Sequence, residues 1–398
     1  MDYNFDEIID RTQVCAKKYV GMEAEFGRTD LFPMWIADMD FKCPDFIIDP
    51  LVERVRQGVY GYTVTPDSYW QAIIDWEREQ HGWNLERNDI TFVAGGIRAL
   101  AYVIFHFTRE GDAVLVQPPV YKPFLTKPVA NGRRVVCNPL ICRDGEYFID
   151  FDNLEEQLRT HRPRLMILCN PQNPLGRIWD REDLQRVASL CARYGTLVMS
   201  DELHSDMPLY GHRHTPFATV SEEARLNSVT LCAPSKTFNL PGLVTSFFVV
   251  QNPELRKGFF EYLEANEFSE AYFTAFIATE MAFRHGLGWR DQMLSYVQGN
   301  IDYAYDFLKT YVPAIKFAKP MSSYVVWLDC HGLGATHEDV RTFFLDKARL
   351  ALNDGINYGP GGEFHMRLNL GTPRANVEKG LSLIREAYEK EFPNRHGI

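Results

Sequence analysis

Short apolar runs alternate with amphipathic helical patterns between about residues 90 and 250, and this alternation limits the folds open to the chain. Runs such as Ala113–Val116 are almost entirely apolar, which is typical of strands buried on both faces. Strands that alternate with helices form a mainly parallel sheet with helices on both sides. We therefore predict an α/β fold with strands at 90–93, 113–116, 134–137, 165–169, 196–200, 228–232 and 245–250, and helices at 97–108, 121–130, 152–159 and 180–194.

The regions before and after this alternation predict an N-terminal arm and a second, smaller domain. Helical patterns at 45–57 and 68–81 follow an irregular apolar segment at 31–41, which Pro33 interrupts and Pro44 closes. A long helical pattern at 289–311 leads away from the sheet, toward strands at 324–329 and 366–370 and helices at 337–347 and 375–390. We predict an N-terminal arm, residues 1–45, that contributes to a small domain, a large domain at 46–288, and a smaller α+β domain at 289–398.

Composition excludes several classes of protein. The 398 residues can bury a core without disulfides or metals, and a net charge of −11 argues against a nucleic-acid-binding surface. The acidic start and the absence of a long apolar run indicate a cytoplasmic enzyme with no membrane partner. The eight cysteines form no C-x-x-C pair, so we expect reduced core residues and no metal.

Polar residues follow several of the predicted strands, in the loops 170–176, 201–204 and 235–236. In open α/β sheets, ligands bind outside the carboxyl ends of the strands, so these loops should meet in one cleft. Lys236 leaves the end of a buried strand, and partial desolvation favours the neutral amine that attacks an aldehyde. A surface lysine in a loop is the alternative.

A glycine pair predicts an anion site at the same edge of the sheet. Gly95 and Gly96 separate the strand at 90–93 from a helix that starts at Ile97, so free amides and the helix dipole point at one place. A plain glycine turn is the alternative. The strand Ala113–Val116 should end at the same edge, and two prolines lie between it and Tyr121, so we expect Tyr121 at this edge as well.

Five ordered motifs resemble those of the fold-type I enzymes that use pyridoxal 5'-phosphate (PLP), over about residues 30–374. The segments PMWIADMDF at 33–41, DELH at 201–204, SKTFN at 235–239, NDG at 353–355 and RLN at 367–369 are similar to the MalY/PatB-type cystathionine β-lyases. The resemblance implies a PLP-dependent transferase-like fold with a seven-stranded sheet, PLP as cofactor, a homodimer with shared sites, and carbon–sulfur β-lyase activity on a sulfur amino acid.

The resemblance also implies a role for individual residues around the cofactor ring. Lys236 forms the Schiff base and moves the α-proton, and Asp201 pairs with the pyridine nitrogen. Asn173 donates to the phenolate oxygen, and Tyr121 stacks on the ring. The alternatives are a helix cap for Asp201, a turn asparagine for Asn173 and a core tyrosine for Tyr121.

Other residues are implied at the phosphate and at the substrate. The amides of Gly96 and Ile97, the Ser235 hydroxyl and the Tyr62 hydroxyl of a second subunit hold the phosphate, with Tyr60 as an alternative to Tyr62. Arg367 binds the substrate α-carboxylate as a two-pronged donor, with Arg374 as the alternative. His204 is implied near the cofactor and Ala37 near the substrate.

The sequence departs from the usual aminotransferase pattern at three positions. His204 replaces the usual tyrosine, as in the lyase branch, and Ala233 and Val244 replace a serine and an arginine that bind phosphate. The alternatives to a lyase are a class I/II aminotransferase and a non-catalytic protein on the same scaffold. A metal site at His204, His212, His214 and Asp206 fits no standard zinc spacing.

Overall fold

A seven-stranded sheet forms the centre of the computed structural model, which describes residues 3–393. Thr245–Val249 is antiparallel to both of its neighbours, and the other strands run parallel. This arrangement confirms the predicted mainly parallel sheet. From one edge to the other, the strands are Ile90–Ala94, Thr245–Val249, Ser228–Cys232, Leu197–Asp201, Leu165–Cys169, Ala113–Val116 and Arg134–Cys137.

Both faces of this sheet are buried, as the apolar runs predict. Within one strand, Val114 and Val116 pack into one apolar cluster, whereas Leu115 packs into another on the opposite face. This follows from the two-residue period of a strand. The helices that cover or flank the sheet are Asp45–Arg56, Asp67–His81, Gly96–Phe107, Lys122–Ala130, Phe151–His161, Arg181–Tyr194, Glu222–Leu226, Pro253–Ala265 and Phe273–His285.

The N-terminal arm pairs with the C-terminal part of the chain. Phe32–Pro33 forms a short parallel pair with Leu350–Ala351. Near it, Val325–Asp329, His365–Asn369 and Asn353–Asp354 form an antiparallel sheet of three strands. The arm and this region also contain the helices Lys17–Val20, Met22–Phe26, Leu287–Tyr311, His337–Thr342 and Arg374–Glu391.

Some local predictions need correction. The helix expected at 337–347 is α-helical only over His337–Thr342, because Phe343–Lys347 adopts the wider π-helical turn, with Ala348 N–H donating to Phe343 C=O. The hairpin Ile141–Arg143 and Glu146–Phe148 was not anticipated.

The cysteines are all unpaired, but they are not all core residues. Cys169, Cys191, Cys232 and Cys330 are buried as expected, whereas Cys15 and Cys142 are exposed. No helix within residues 3–393 has both the length and the apolar character needed to cross a bilayer.

Candidate active site

A cavity of about 610 Å³ opens at the edge of the sheet where the parallel strands end. Strand ends line its floor, as expected for this class of sheet, because the loops that leave neighbouring strands meet there. All of the site residues predicted from the sequence line this cavity except Tyr62: Ala37, Gly96, Ile97, Tyr121, Asn173, Asp201, His204, Ser235, Lys236 and Arg367.

Lys236 lies in a tight turn after the strand Ser228–Cys232. Two main-chain hydrogen bonds hold this turn, one of them from Leu240 N–H to Ser235 C=O. The Lys236 Nζ donates a 2.7 Å hydrogen bond to the main-chain oxygen of Ala37. Burial, with a smaller contribution from the charge of Arg367, lowers the pKa of Lys236 from 10.5 to about 8. The amine is therefore far closer to its neutral, nucleophilic form than an ordinary lysine is.

Asp201 is the last residue of the buried strand Leu197–Asp201. The residues directly after it form a turn, so Asp201 does not cap a helix. Its Oδ1 accepts a 3.2 Å hydrogen bond from Leu203 N–H. Burial raises the pKa of Asp201 from 3.8 to about 7, although the Leu203 amide and the charge of Lys236 oppose this shift. A cation placed against this carboxyl group would restore its ionised form, which is the pairing expected for a protonated ring nitrogen.

The N-terminus of the helix Gly96–Phe107 faces the cavity. Gly95 has a φ of 90°, which glycine tolerates, and its C=O accepts the first helical hydrogen bond, from Ala99 N–H. A Cβ atom at Gly96 would lie 2.7 Å from Leu203 Cδ1, so glycine allows the helix to approach the DELH loop. The first turn has no acidic residue, which suits anion binding.

Arg367 sits between two asparagines at the other side of the cavity. Its Nη1 donates to Asn173 Oδ1 at 3.0 Å, and its Nη2 donates to Asn353 Oδ1 at 2.6 Å. Its Nε is buried without a hydrogen-bond partner in the described chain. Asn353 also accepts a 3.1 Å hydrogen bond from Ile36 N–H. The guanidinium is thus held in place and keeps an unused donor.

Asn353 illustrates a site residue to which sequence reasoning assigned no role. The NDG segment at 353–355 carries part of the resemblance, but the sequence does not indicate its contact with the arginine. Asn353 is the cross-strand partner of Arg367, and this pairing was not indicated by any strand predicted at 353. Arg374 lies elsewhere, with its Nε donating to Asn300 Oδ1 at 2.8 Å, and it does not line the cavity.

The side chains of Tyr121 and His204 line the cavity and carry no charge at neutral pH. Tyr121 precedes the helix Lys122–Ala130 and packs edge-on against Phe124, with ring centroids 5.8 Å apart; burial raises the pKa of its phenol. His204 Nδ1 shares a 2.9 Å hydrogen bond with Ser323 Oγ. Burial, with the charges of Lys236 and Arg367, lowers the pKa of His204 to about 3, so its ring is neutral at neutral pH.

The histidines around His204 do not converge on a metal. His214 pairs with Glu202 at 2.7 Å, and Asp206 binds His81 at 2.8 Å and the Trp76 indole at 2.9 Å. In the described part of the chain, the residues whose ligand atoms lie close enough for a metal are Asp329, His331 and His365, outside the cavity.

Side chains from distant parts of the sequence bind the arm segment Trp35–Phe41 through its main chain. Asn369 Nδ2 donates to the carbonyls of Ile36 and Asp38, and Asn239 Nδ2 donates to those of Met39 and Phe41. The Tyr324 hydroxyl donates to Ala37 C=O at 3.0 Å. These contacts fix the position of the Ala37 carbonyl, which accepts the hydrogen bond from the Lys236 amine.

Tyr62 lies outside the cavity of its own chain. Its side chain is fully exposed and makes no hydrogen bond or ring contact with any residue of the described range 3–393. Tyr60 differs, because its hydroxyl donates to Val55 C=O at 2.7 Å and its ring stacks on Phe273 at 6.1 Å. Of the two tyrosines, only Tyr62 is left free by its own chain.

Comparison with known proteins identifies the family of this chain. The sequence profile of the family "Aminotransferase class I and II" matches residues 49–384. The chain is 42% identical to cystathionine beta-lyase PatB of Bacillus subtilis strain 168, over 96% of this chain and 99% of the relative.

Among the solved structures that resemble this chain, two examples cover nearly all of it. Cystalysin of Treponema denticola, which contains a PLP cofactor, superposes with a TM-score of 0.94 at 28% identity, covering 98% of this chain and 100% of that one. The PLP-bound C-S lyase of Staphylococcus hominis, complexed with L-cycloserine, superposes with a TM-score of 0.90 at 30% identity, covering 98% and 99%. This chain therefore belongs to the aminotransferase class I and II family, and its fold is that of the PLP-dependent fold-type I enzymes.

Proposed function

We propose that this protein is a PLP-dependent carbon–sulfur β-lyase. It acts on cystathionine or a cysteine S-conjugate and releases pyruvate, ammonia and a thiol, with one water consumed overall. The observation that carries the proposal is the presence of Lys236, Asp201 and Arg367 in one cavity. The full-length similarity to a cystathionine β-lyase and to a C-S lyase structure supports the elimination reaction.

The residues of the cavity fit PLP. The free amides of the helix that starts at Gly96, with the Ser235 hydroxyl, match a phosphate. The Lys236 amine, shifted toward its neutral form, matches an aldehyde. The buried Asp201 carboxyl, whose pKa is raised by burial against the opposing charge of Lys236, matches a protonated ring nitrogen. Asn173 keeps its Nδ2 group as a donor for a phenolate oxygen while its Oδ1 accepts from Arg367.

When bound, PLP supplies an aldehyde that captures the substrate amine and a ring that stores the electron pair left at the α-carbon. Arg367 holds the substrate α-carboxylate through its guanidinium, oriented by Asn353 and Asn173. The Nζ of Lys236 takes the α-proton and holds it. Asp201, as a carboxylate, keeps the ring nitrogen protonated, and Tyr121 covers one face of the ring. The stored electron pair is the chemistry that PLP would supply for expelling the β-thiolate.

An aminotransferase is the second candidate, because the family profile carries that name. The same lysine, aspartate and arginine serve the first half of both reactions. The two differ in the next step, since a lyase expels the β-thiolate, whereas an aminotransferase returns the proton to the cofactor and needs a 2-oxo acid. The lyase-like segments Trp35–Phe41, His204 and Asn353 to Gly355 favour elimination.

We also propose a homodimer in which Tyr62 reaches the phosphate of the neighbouring subunit. The free, exposed side chain of Tyr62 and the engaged side chain of Tyr60 support this choice. The pairing of Phe32–Pro33 with Leu350–Ala351 supports a small domain built from the arm, 1–45, and residues 289–398, beside a large domain at 46–288. The unpaired cysteines support a cytoplasmic location.

The test of the function is a product assay on the holoenzyme. With L-cystathionine, we expect pyruvate, ammonia and thiol in equal amounts, and no product from Lys236→Ala that is still folded by circular dichroism. Borohydride reduction followed by peptide mapping should place the pyridoxyl label on Lys236. A label on another lysine, or full activity in Lys236→Ala, would overturn the assignment.

A further inference from the structure

The rim of the active-site cavity carries charged side chains that the proposed chemistry does not use. Lys17 starts the helix Lys17–Val20, Glu25 lies in the helix Met22–Phe26, and Lys122 starts the helix Lys122–Ala130. All three are exposed, and all three line the cavity. They bring two positive charges and one negative charge to the entrance of one site.

These three charges have no partner within the described chain. Lys17, Glu25 and Lys122 make no side-chain hydrogen bond or ion pair with any residue of the range 3–393. Surface charges elsewhere commonly pair with a neighbour, as Arg159 does with Glu156 at 2.7 Å and Arg78 with Asp75 at 2.7 Å. Arg98, another exposed charge that lines the cavity, donates to Ala94 C=O at 3.2 Å. Within the described part of their own chain, the three rim charges are therefore free to bind a ligand.

Glu25 acts electrostatically on a cavity residue that neighbours Arg367. The Arg367 Cζ lies 5.4 Å from the centroid of the Tyr358 ring, and the charge of Glu25 acts on the phenol of that same tyrosine. Tyr358 also lines the cavity, so it connects the proposed carboxylate site to the rim. Among the rim charges, Glu25 is the one linked to Arg367 in this way, so we expect the part of the substrate beyond its sulfur atom to lie toward Glu25.

We propose that Lys17, Glu25 and Lys122 form a binding site for the distal amino-acid group of the substrate, with Glu25 binding its ammonium and the two lysines its carboxylate. The inference rests on the proposed lyase function and names the substrate class. Thioethers and disulfides that end in a second zwitterionic amino acid, such as cystathionine and cystine, are preferred over cysteine conjugates with an uncharged alkyl group. The rim charges of both signs match the two charges of that group.

The test compares substrates that differ only beyond the sulfur atom, with the holoenzyme. L-Cystathionine carries both distal charges, S-(2-aminoethyl)-L-cysteine only the ammonium, S-(2-carboxyethyl)-L-cysteine only the carboxylate, and S-ethyl-L-cysteine neither. Glu25→Gln should lower kcat/KM for cystathionine and the aminoethyl substrate by roughly three- to tenfold, because each loses one charge pair at a cleft. The double variant Lys17→Gln/Lys122→Gln should do the same for cystathionine and the carboxyethyl substrate.

Matched controls lie on the helices of Glu25 and Lys122. Glu23→Gln and Lys127→Gln remove charges that do not line the cavity, and they should leave all four substrates unchanged. S-ethyl-L-cysteine should be turned over equally by every variant. Equal losses on all four substrates, or no loss on any, would overturn the distal site while leaving the lyase assignment intact. Absence of elimination from every substrate in the wild-type enzyme would overturn the lyase assignment and the distal site together.

Discussion

The Lys236 amine donates a 2.7 Å hydrogen bond to the main-chain oxygen of Ala37, a residue 199 positions earlier in the chain. The same oxygen accepts a 3.0 Å hydrogen bond from the buried Tyr324 hydroxyl. In the proposed mechanism, the neutral Lys236 amine would have this fixed acceptor beside it, which would orient the amine for proton transfer. This relationship makes Tyr324 a positioning residue, because it acts on the lysine through Ala37.

Tyr324→Phe tests that role. Loss of one hydrogen bond of about 1 kcal/mol should lower kcat by roughly fivefold, with KM little changed. The deuterium isotope effect measured with α-deuterated substrate should increase, because proton transfer becomes slower. Tyr194→Phe, which removes a hydroxyl that donates to Glu155 outside the cavity, is the matched control and should leave kcat unchanged. A lower kcat with an unchanged isotope effect would contradict a positioning role.

Arg367→Ala should cost much more than Arg374→Ala. Arg367 lines the cavity with a free Nε, and a charge-assisted contact with the carboxylate is worth on the order of 2 to 4 kcal/mol, or roughly 30- to 1,000-fold in kcat/KM. Arg374 bonds Asn300 outside the cavity, so its removal should affect thermal stability more than kcat/KM. Steady-state kinetics and thermal unfolding of both variants decide between the two arginines. The reverse order would assign the carboxylate to Arg374.

A hybrid dimer tests the shared site. Lys236→Ala and Tyr62→Phe chains should each be inactive or nearly so, but mixing them should restore part of the activity. One of the two sites in each hybrid dimer then has both a native lysine and a native tyrosine. Tyr60→Phe in place of Tyr62→Phe is the control and should itself remain active. Verified subunit exchange without recovery would show that the sites are not shared.

The buried Glu77 predicts a pH-dependent stability. Burial raises its pKa from 4.5 to about 8, although His81 opposes this and Asp206 and Glu202 add to it. The folded state therefore holds this proton where the unfolded state has lost it, and the free energy of unfolding falls as pH rises from about 4.5 to 8, by at most about 1.4 kcal/mol per pH unit.

Glu77→Gln removes that ionisation. Relative to the wild type, the variant should gain thermal stability as the pH rises from about 5 to about 9. Glu79→Gln, an exposed change on the same helix, is the control and should give a constant difference. A difference for Glu77→Gln that is also independent of pH would show that the carboxyl group does not titrate in this range.

The sheet and the residues at its edge could be predicted because their signals are local. An apolar run such as 165–169 has the composition of a buried strand, and the polar loop that follows it must lie at the carboxyl edge. The proposed roles of Lys236 and Asp201 rest on motifs whose spacing is visible in the sequence.

The contacts of the arm could not be predicted in the same way. Asn369 and Tyr324 bind the main chain of residues about 300 positions away, and no local pattern records such a pair. The helices Pro253–Ala265 and Phe273–His285 were not among the predicted elements either. Because tertiary packing stabilises most helices in proteins, local patterns are an incomplete guide to them.

The most direct test of the central claim counts turnovers of L-cystathionine with and without added 2-oxoglutarate. A lyase regenerates its cofactor without a second substrate, so pyruvate and free thiol should accumulate well beyond one equivalent per site, at a rate that the oxo acid does not change. Conversion that stops near one equivalent and resumes only when 2-oxoglutarate is added would contradict the account and identify an aminotransferase.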